Sequence, residues 1–522
     1  MIQYLSYEPG VPPHDYWDHT IVEDLIEGID LEASDRQVVV IPGQFQGSHM
    51  NQINDHINHF EKVLVMITSD EKALFPHEQL QHPDMILWVM LPDVKKHRSV
   101  NRYLINGYSP DTRPMLRNLG AIDKTDRWFF SGQINHPSRD RMMQVIKSSP
   151  LLKRKGEEMY KTDGFTQGMS HDEYFERMAK AKVIPCPGGA YTPDSFRLYE
   201  ALEAGCVPIP FDKSYMHMLL GDTPFPAVDE WDKLPDHIEN IADRYPWFNN
   251  QVFAWWQMFK RQMKYDLRDD LGLDHGKVTV IIPTSPIPSH PSTEVIERTV
   301  ASVREQLPDA EILITIDGVK EKQTERSADY NEYIRRLLWK CNHDWTKVYP
   351  MLFGEHMHQS GMTRAALDKV RTPYVIYVEH DTPFTGEIDW DGVFNVMDAK
   401  TANIIRFHFE DRIPEVHKRL MLDKAKKIKG IKLIPTAQYS QRPHIADTEF
   451  YRKMMRDYFT ESSRIMIEDV VYGPIETAYL ERGKPGWQDW KIYIYAPDGG
   501  YKRSLNLDGR ENDSKFEESY IR

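Results

Sequence analysis

Two stretches of this 522-residue chain gather side chains of the kind that handle charged ligands. In the first, an apolar run at 374–378 ends directly on Glu379-His380-Asp381. An extended strand sends residues two apart to one face, so the pattern predicts two carboxylates side by side. Like charges at that separation are costly unless a cation or hydrogen-bond donors offset them. A Mg²⁺ or Mn²⁺ ion carrying a diphosphate would do so, because hard oxygen ligands suit those ions. The alternative is an ordinary strand end with its charges in water.

The second stretch, "YTPDSFRLYEALEAGCVPIP" at 191–210, predicts a helix that opens at Ser195 after a Gly-Gly turn and closes on Gly-Cys-Val-Pro. Unpaired N–H groups and the dipole at a helix start favour an anion. Arg197 adds a guanidinium able to grip phosphate through two bonds, and Glu200 could accept from ribose hydroxyls. A nucleoside diphosphate fits that combination. So does a capped helix with a surface Arg–Glu pair.

Positioning these residues requires strands, and the sequence supplies them. "RQVVVIPGQ", "KVLVMITS" and "DMILWVML" read as buried strands and "SHMNQINDHINHF" as a helix, the signature of a parallel sheet covered on both faces. Gly43, Gln44 and His49, after the first of those strands, are candidate acceptor contacts. "RWFFSGQ", "KVIPCPGG" and "CVPIPF" predict a second such lobe, closed by a long aromatic helix at 246–271 that reads as an interlobe strut. The polar "RDDLGLDHGK" at 268–277 suits a linker. Beyond it "VTVIIPTSP" starts a third sheet, followed by a helix with Ile296, Val300, Val303 and Leu307 inward and a strand ending at Asp317-Gly318. Such a βαβ unit places Asp317 at a strand's carboxyl end, facing a base or ribose. The expected fold is α/β, with Rossmann-like lobes at 1–122 and 123–270 and a further α/β domain at 277–522.

Composition excludes some functions. A net charge of −14, from 65 basic and 79 acidic residues, argues against a protein that coats nucleic acid. The basic runs at 424–432 and 153–155 read as solvated helix faces or loops. The N-terminus lacks the basic head and apolar core of a secretion signal, and no apolar run approaches the ~20 residues that span a bilayer, so a cytosolic protein is expected. Cys186, Cys206 and Cys341 show no metal-like spacing, and reduced thiols are expected.

In order along the chain, "VTVIIPT", "ITIDG", "SGMTRAAL", "YVIYVEHD" and "IMIEDVVYG" resemble the family 2 type of glycosyltransferases with the GT-A fold, over about residues 277–480. The resemblance implies that Pro283 and Thr284 begin a nucleotide site, that Asp317 holds base or ribose, and that Arg364 contacts the donor. The family's Arg-Asn is here Arg364-Ala365, and its DxD is Glu379-His380-Asp381. Asp381 and Glu379 would ligate Mn²⁺ or Mg²⁺, with His444, His408 or Asp508 as third ligand. Asp469 would be the base of an inverting transfer, with Glu468 beside it positioning the acceptor or the helix. "QYSQRPH" at 438–444, with Tyr439 and Arg442, would offer an acceptor platform.

Residues 174–212 resemble the exostosin-type glycosyltransferase signature: a Cys-Pro-x-Gly turn, a Ser-x-Arg-x-x-Glu helix and a Gly-Cys-x-Pro strand in the second lobe of a GT-B fold. "FFSGQINHPSRDR" is similar to that family's phenylalanine-glycine loop with following arginines, which implies donor contacts from Gly132, Arg139 and Arg141. Together the resemblances imply a bifunctional glycosyltransferase that takes nucleotide sugars such as UDP-sugars, the GT-A half metal-dependent. The acceptor would be a hydroxyl of a glycan or of a hydroxymethylated base in viral DNA. The rival arrangement has one catalytic module and one that only binds the acceptor.

Overall fold

The computed structural model describes residues 2–5, 19–43, 47–90, 100–133, 137–152, 159–162, 168–189 and 191–507. Gln44, Asp508 and the basic run at 153–155 lie outside the described residues. The chain divides into two compact units, Met1–Asp274 and His275–Arg522.

In the N-terminal unit, β1 (Ile2–Tyr4), β2 (Gln37–Pro42), β3 (Val63–Thr68), β4 (Met85–Met90) and β5 (Arg102–Leu104) form a parallel sheet in chain order. Strands β2 and β3 are almost wholly Val, Ile, Leu and Met, buried on both faces, as a covered parallel sheet requires. Because strand order never reverses, this sheet lacks, among the described residues, the switch point at which a Rossmann-like lobe binds its ligand.

Two further small sheets, one of three strands and one of two, share a chain path that does reverse. Strands β6 (Asp126–Trp128) and β7 (Phe130–Gly132) are halves of one path broken at Phe129, whose N–H donates to Val183 O at 3.2 Å. On one side β7 pairs with β8 (Met159–Lys161); on the other β6 pairs with β9 (Ala181–Cys186), which pairs with β10 (Val207–Pro210), all in parallel. The reversal leaves Gly132 and Gly188-Gly189 at neighbouring carboxyl ends. The aromatic helix, Trp247–Asp270, bridges these sheets and the first. Trp256 Nε1 donates to the buried Glu203 at 2.7 Å, and at its far end Asp270 accepts from Trp88 Nε1 at 2.8 Å and Arg102 Nε at 2.7 Å.

The C-terminal unit is built on a mixed sheet. Its strands are β11 (Val278–Thr284), β12 (Glu311–Ile316), β13 (Val348–Leu352), β14 (Tyr374–Tyr377), β15 (Ile404–Arg406), β16 (Lys426–Ile428), β17 (Ile431–Pro435), β18 (His444–Asp447) and β19 (Ile492–Tyr495). Their spatial order is β13-β12-β11-β14-β18-β15-β19-β17-β16. The first four are parallel, and their order reverses between β11 and β14. The basic run at 424–432 is neither helix face nor loop but a hairpin on the sheet edge. Lys429 and Gly430, with φ of 48° and 99°, make the two-residue turn, and exposed Lys426 and Lys427 line the outer strand.

Candidate functional site

Both reversals carry the residues singled out for chemistry. In the C-terminal unit the extended arrangement expected for Glu379 and Asp381 is replaced by a turn. Pairing to β11 ends at Val378, whose N–H donates to Ile281 O, and Thr382 N–H then donates back to Glu379 O at 3.0 Å. The turn is pinned from outside: Thr299 Oγ1 donates to His380 O at 2.7 Å, Leu507 N–H to Asp381 O at 2.6 Å, and His380 Nδ1 lies 3.2 Å from Pro283 O. His380 thus fastens the acidic turn to the end of β11.

Glu379 faces Asp381, and Glu468 reaches it from the helix Ile467–Arg482. Burial first, then the Asp381 charge, pushes the Glu379 carboxyl up to about 8, against the attraction of Arg442. At neutral pH, with no cation present, this carboxyl keeps its proton. Glu468 is held by Gln441 N–H at 2.9 Å, whereas Asp469, next along the helix, is exposed. The Arg442 guanidinium lies 3.8 Å over the Phe409 ring.

This donor set fits a hard divalent ion that takes one or two carboxylates from protein and fills its shell with water and phosphate. It does not include His444. Among the described residues no three His, Cys, Asp or Glu side chains gather to hold a metal. His444 sits in β18 opposite Tyr377, enclosed by Tyr377, Tyr439 and Tyr451, with Nδ1 2.8 Å from Arg442 O; burial pushes it down to about 4. His408 is likewise buried, its Nδ1 3.0 Å from Glu410 O.

Asp317, Tyr439, Pro283 and Thr284 all lie buried. Asp317 is 1 % exposed, and its carboxylate is occupied by N–H groups of Gly318 (2.9 Å), Met357 (2.6 Å) and His358 (3.1 Å) and by His356 Nδ1 at 2.8 Å. It fastens the start of the helix His358–Leu367 rather than facing an open cleft. Burial raises its pKa and those N–H bonds oppose the rise. Tyr439 is 0 % exposed and donates to Gln441 Oε1 at 2.6 Å, so it is a core residue with no face for an acceptor to stack on. Pro283 and Thr284 end β11 as buried residues, Thr284 Oγ1 2.9 Å from Tyr333 OH. Arg364 lies 3.6 Å from Glu461 and keeps Nη1 buried without a partner.

In the N-terminal unit, Ser195 caps the helix Phe196–Glu203 by backbone alone; its Oγ is buried without a partner. Arg197 Nη2 donates to Ser131 O at 2.5 Å, its guanidinium stacks 4.7 Å from Phe130, and its Nε is unpartnered. Arg139 donates to Gly188 O (2.8 Å) and Gln133 O (3.0 Å). Burial and the Arg197 charge push it down to about 10, still cationic at neutral pH. Gly132 leaves room here for Arg197, since a Cβ would stand 2.5 Å from its Nη2 and push that guanidinium aside. Glu200, 6 % exposed, accepts from Tyr174 OH at 2.8 Å, and burial raises its pKa. Arg141 turns away to an exposed pair with Asp232. Gly43 packs against Ile67 and Asp70, and His49 Nδ1 lies 2.7 Å from Gln52 Oε1. No described contact joins Gly43 or His49 to the two arginines.

Residues to which sequence reasoning gave no role do much of the positioning: Thr299, Gln359, Tyr174 and Tyr333, with His380 inside the acidic turn. Each is a polar residue whose type a sequence shows without showing its partner.

No family profile and no curated protein matches the chain. Among solved structures, it is similar to S. aureus TarS at 13% identity and a TM-score of 0.28, over 44% of this chain and 36% of that one. The mannosyltransferase PcManGT from Pyrobaculum calidifontis, in complex with GDP-Man and Mn²⁺, gives 14% and 0.25, over 43% and 58%. The bifunctional IspDF from Campylobacter jejuni gives 12% and 0.24, over 44% and 52%. The matched segment thus spans between a third and three fifths of those structures' own length. At such scores the likeness carries no functional inference.

Proposed function

We propose that the C-terminal unit transfers a sugar from a nucleotide-sugar donor to a hydroxyl acceptor, and that the N-terminal unit holds a second nucleotide diphosphate, making the chain a bifunctional glycosyltransferase. The reading rests on one coincidence. The acidic turn Glu379-His380-Asp381 stands at the reversal between β11 and β14, where open α/β sheets bind ligands, with the Glu468–Asp469 helix start facing it.

Asp381 and Glu379 would hold Mn²⁺ or Mg²⁺, and such an ion neutralises charge on departing phosphates. Asp469, exposed and untethered by Gln441, would take the acceptor's proton, while Glu468 holds the helix start in place. Arg364 Nη1 would meet the donor. The test is nucleoside diphosphate release by the purified chain from a panel of nucleotide sugars, with and without Mn²⁺. Cation-dependent release lost in Asp381→Ala supports the reading; no release from any donor contradicts it.

A second reading of the N-terminal unit, as a module that binds without catalysing, is favoured by Glu200, which is buried and bonded to Tyr174 rather than poised as a base. Glu200→Ala with product unchanged, while Arg197→Ala loses binding, would support that reading.

A further inference from the structure

The helix His358–Leu367 makes a set of contacts that the proposed chemistry has not used. Its start is fixed by Asp317, which accepts from Met357 and His358 N–H. From there Ser360 grips the loop ahead of the Glu468–Asp469 helix: its N–H donates to Ile465 O at 3.2 Å, its Oγ to Ser463 O at 3.1 Å, and Ile465 N–H donates back to that Oγ at 3.1 Å. Gln359, 6 % exposed, spans the remaining gap. Its Oε1 accepts from Ile467 N–H at 2.8 Å and its Nε2 donates to Glu379 Oε1 at 3.2 Å.

The amide orientation follows from its partners. Ile467 N–H is among the first, internally unpaired donors of its helix, and Met466 supplies no side-chain cap. A backbone N–H can only donate, so it claims the amide oxygen and leaves the NH₂ for the carboxylate. The loop has little packing of its own to hold it, since Ile465 and Met466 are 41 % and 38 % exposed. Segments held by few buried contacts open at low cost.

We propose that Gln359 is a positioning residue that couples the two halves of the C-terminal site: filling the Glu379–Asp381 turn with a divalent cation and a diphosphate steadies the helix start that carries Glu468 and Asp469. The inference rests on the transferase reading for its purpose, but its mechanics can be measured separately.

Hydrogen exchange of peptides within 463–470 is compared with and without Mn²⁺ plus UDP, in the native chain and in Gln359→Leu. In the native chain the additions slow exchange about fivefold or more; in Gln359→Leu the slowing shrinks to within about twofold. Gln359→Met, closer in length, behaves as Gln359→Leu does and guards against a packing defect, provided both melt cooperatively. Where donor turnover is measurable, both variants lower transfer about tenfold relative to donor hydrolysis, a ratio that a loss of folded protein cannot change. Equal slowing in native and variant chains, or no slowing in the native chain, overturns the coupling even if transfer is active. Coupling seen in a chain that turns over no donor leaves the inference standing and refutes the transferase reading instead.

Discussion

Around Glu379 the C-terminal unit concentrates negative charge, with Asp381 and Glu468 facing one carboxyl and Arg442 as the opposing cation. Around Arg197 the N-terminal unit does the reverse, bringing Arg139 close enough to lower its pKa, with the buried Glu200 as the neighbouring acid. Both clusters stand where strand order reverses, so topology places them alike while charge sets them apart. The contrast teaches that a strand-end site is defined by which sign of charge the fold leaves uncompensated there: on the proposed reading the first would need a cation before accepting a diphosphate, and the second would accept one directly.

Removing the cation should separate the two most sharply. With EDTA, or in Asp381→Ala, donor turnover at the C-terminal site is expected to fall by about 10²–10³, assayed as diphosphate release, while nucleotide binding at Arg197 persists. Equal loss at both sites would erase the comparison. Asp469→Asn should follow, lowering transfer by about 10²–10⁴ with little change in donor KM. Glu468→Gln, which keeps a carbonyl oxygen for Gln441 N–H, should cost less.

On the basic side, Arg197→Ala and Arg139→Ala should each weaken UDP binding about tenfold, roughly 1.4 kcal/mol, measured by titration in EDTA.

Metal-free stability sharpens the acidic side. The Glu379 pKa is raised from 4.5 to about 8, so its contribution to stability is fully present below 4.5 and is lost as pH rises towards 8. Glu379→Gln has no such loss. In EDTA its Tm relative to native should climb between those pH values and level off above 8. The smallest effect is expected of Gly132→Ala, which should displace Arg197 Nη2 from Ser131 O and weaken UDP binding by a few fold.

Much of the frame was legible because it rests on periodicity. Continuous apolar runs announced β2, β3 and β11 as covered parallel strands, and the polar stretch at 268–277 runs from the last turn of the helix Trp247–Asp270 to the start of β11. Pairings were not legible. The sequence shows Asp317 after a strand but not the three N–H groups that occupy it, and it shows Tyr439 among polar neighbours but not the core that closes over it. Glu379 and Asp381 do lie close, yet through a turn held by Thr299 and Leu507, residues about 80 and 130 positions away that no local pattern could supply. The charge run at 424–432 misled for a related reason, since its lysines guard a sheet edge whose existence depends on β19.

The central claim is that two diphosphate sites of opposite charge reside in one chain. Calorimetric titration with UDP tests it most directly. With Mn²⁺ the account predicts about two equivalents bound, falling to about one in EDTA, and that remaining equivalent lost in the doubly substituted Arg139→Ala, Arg197→Ala chain. A single equivalent that survives both treatments would contradict it.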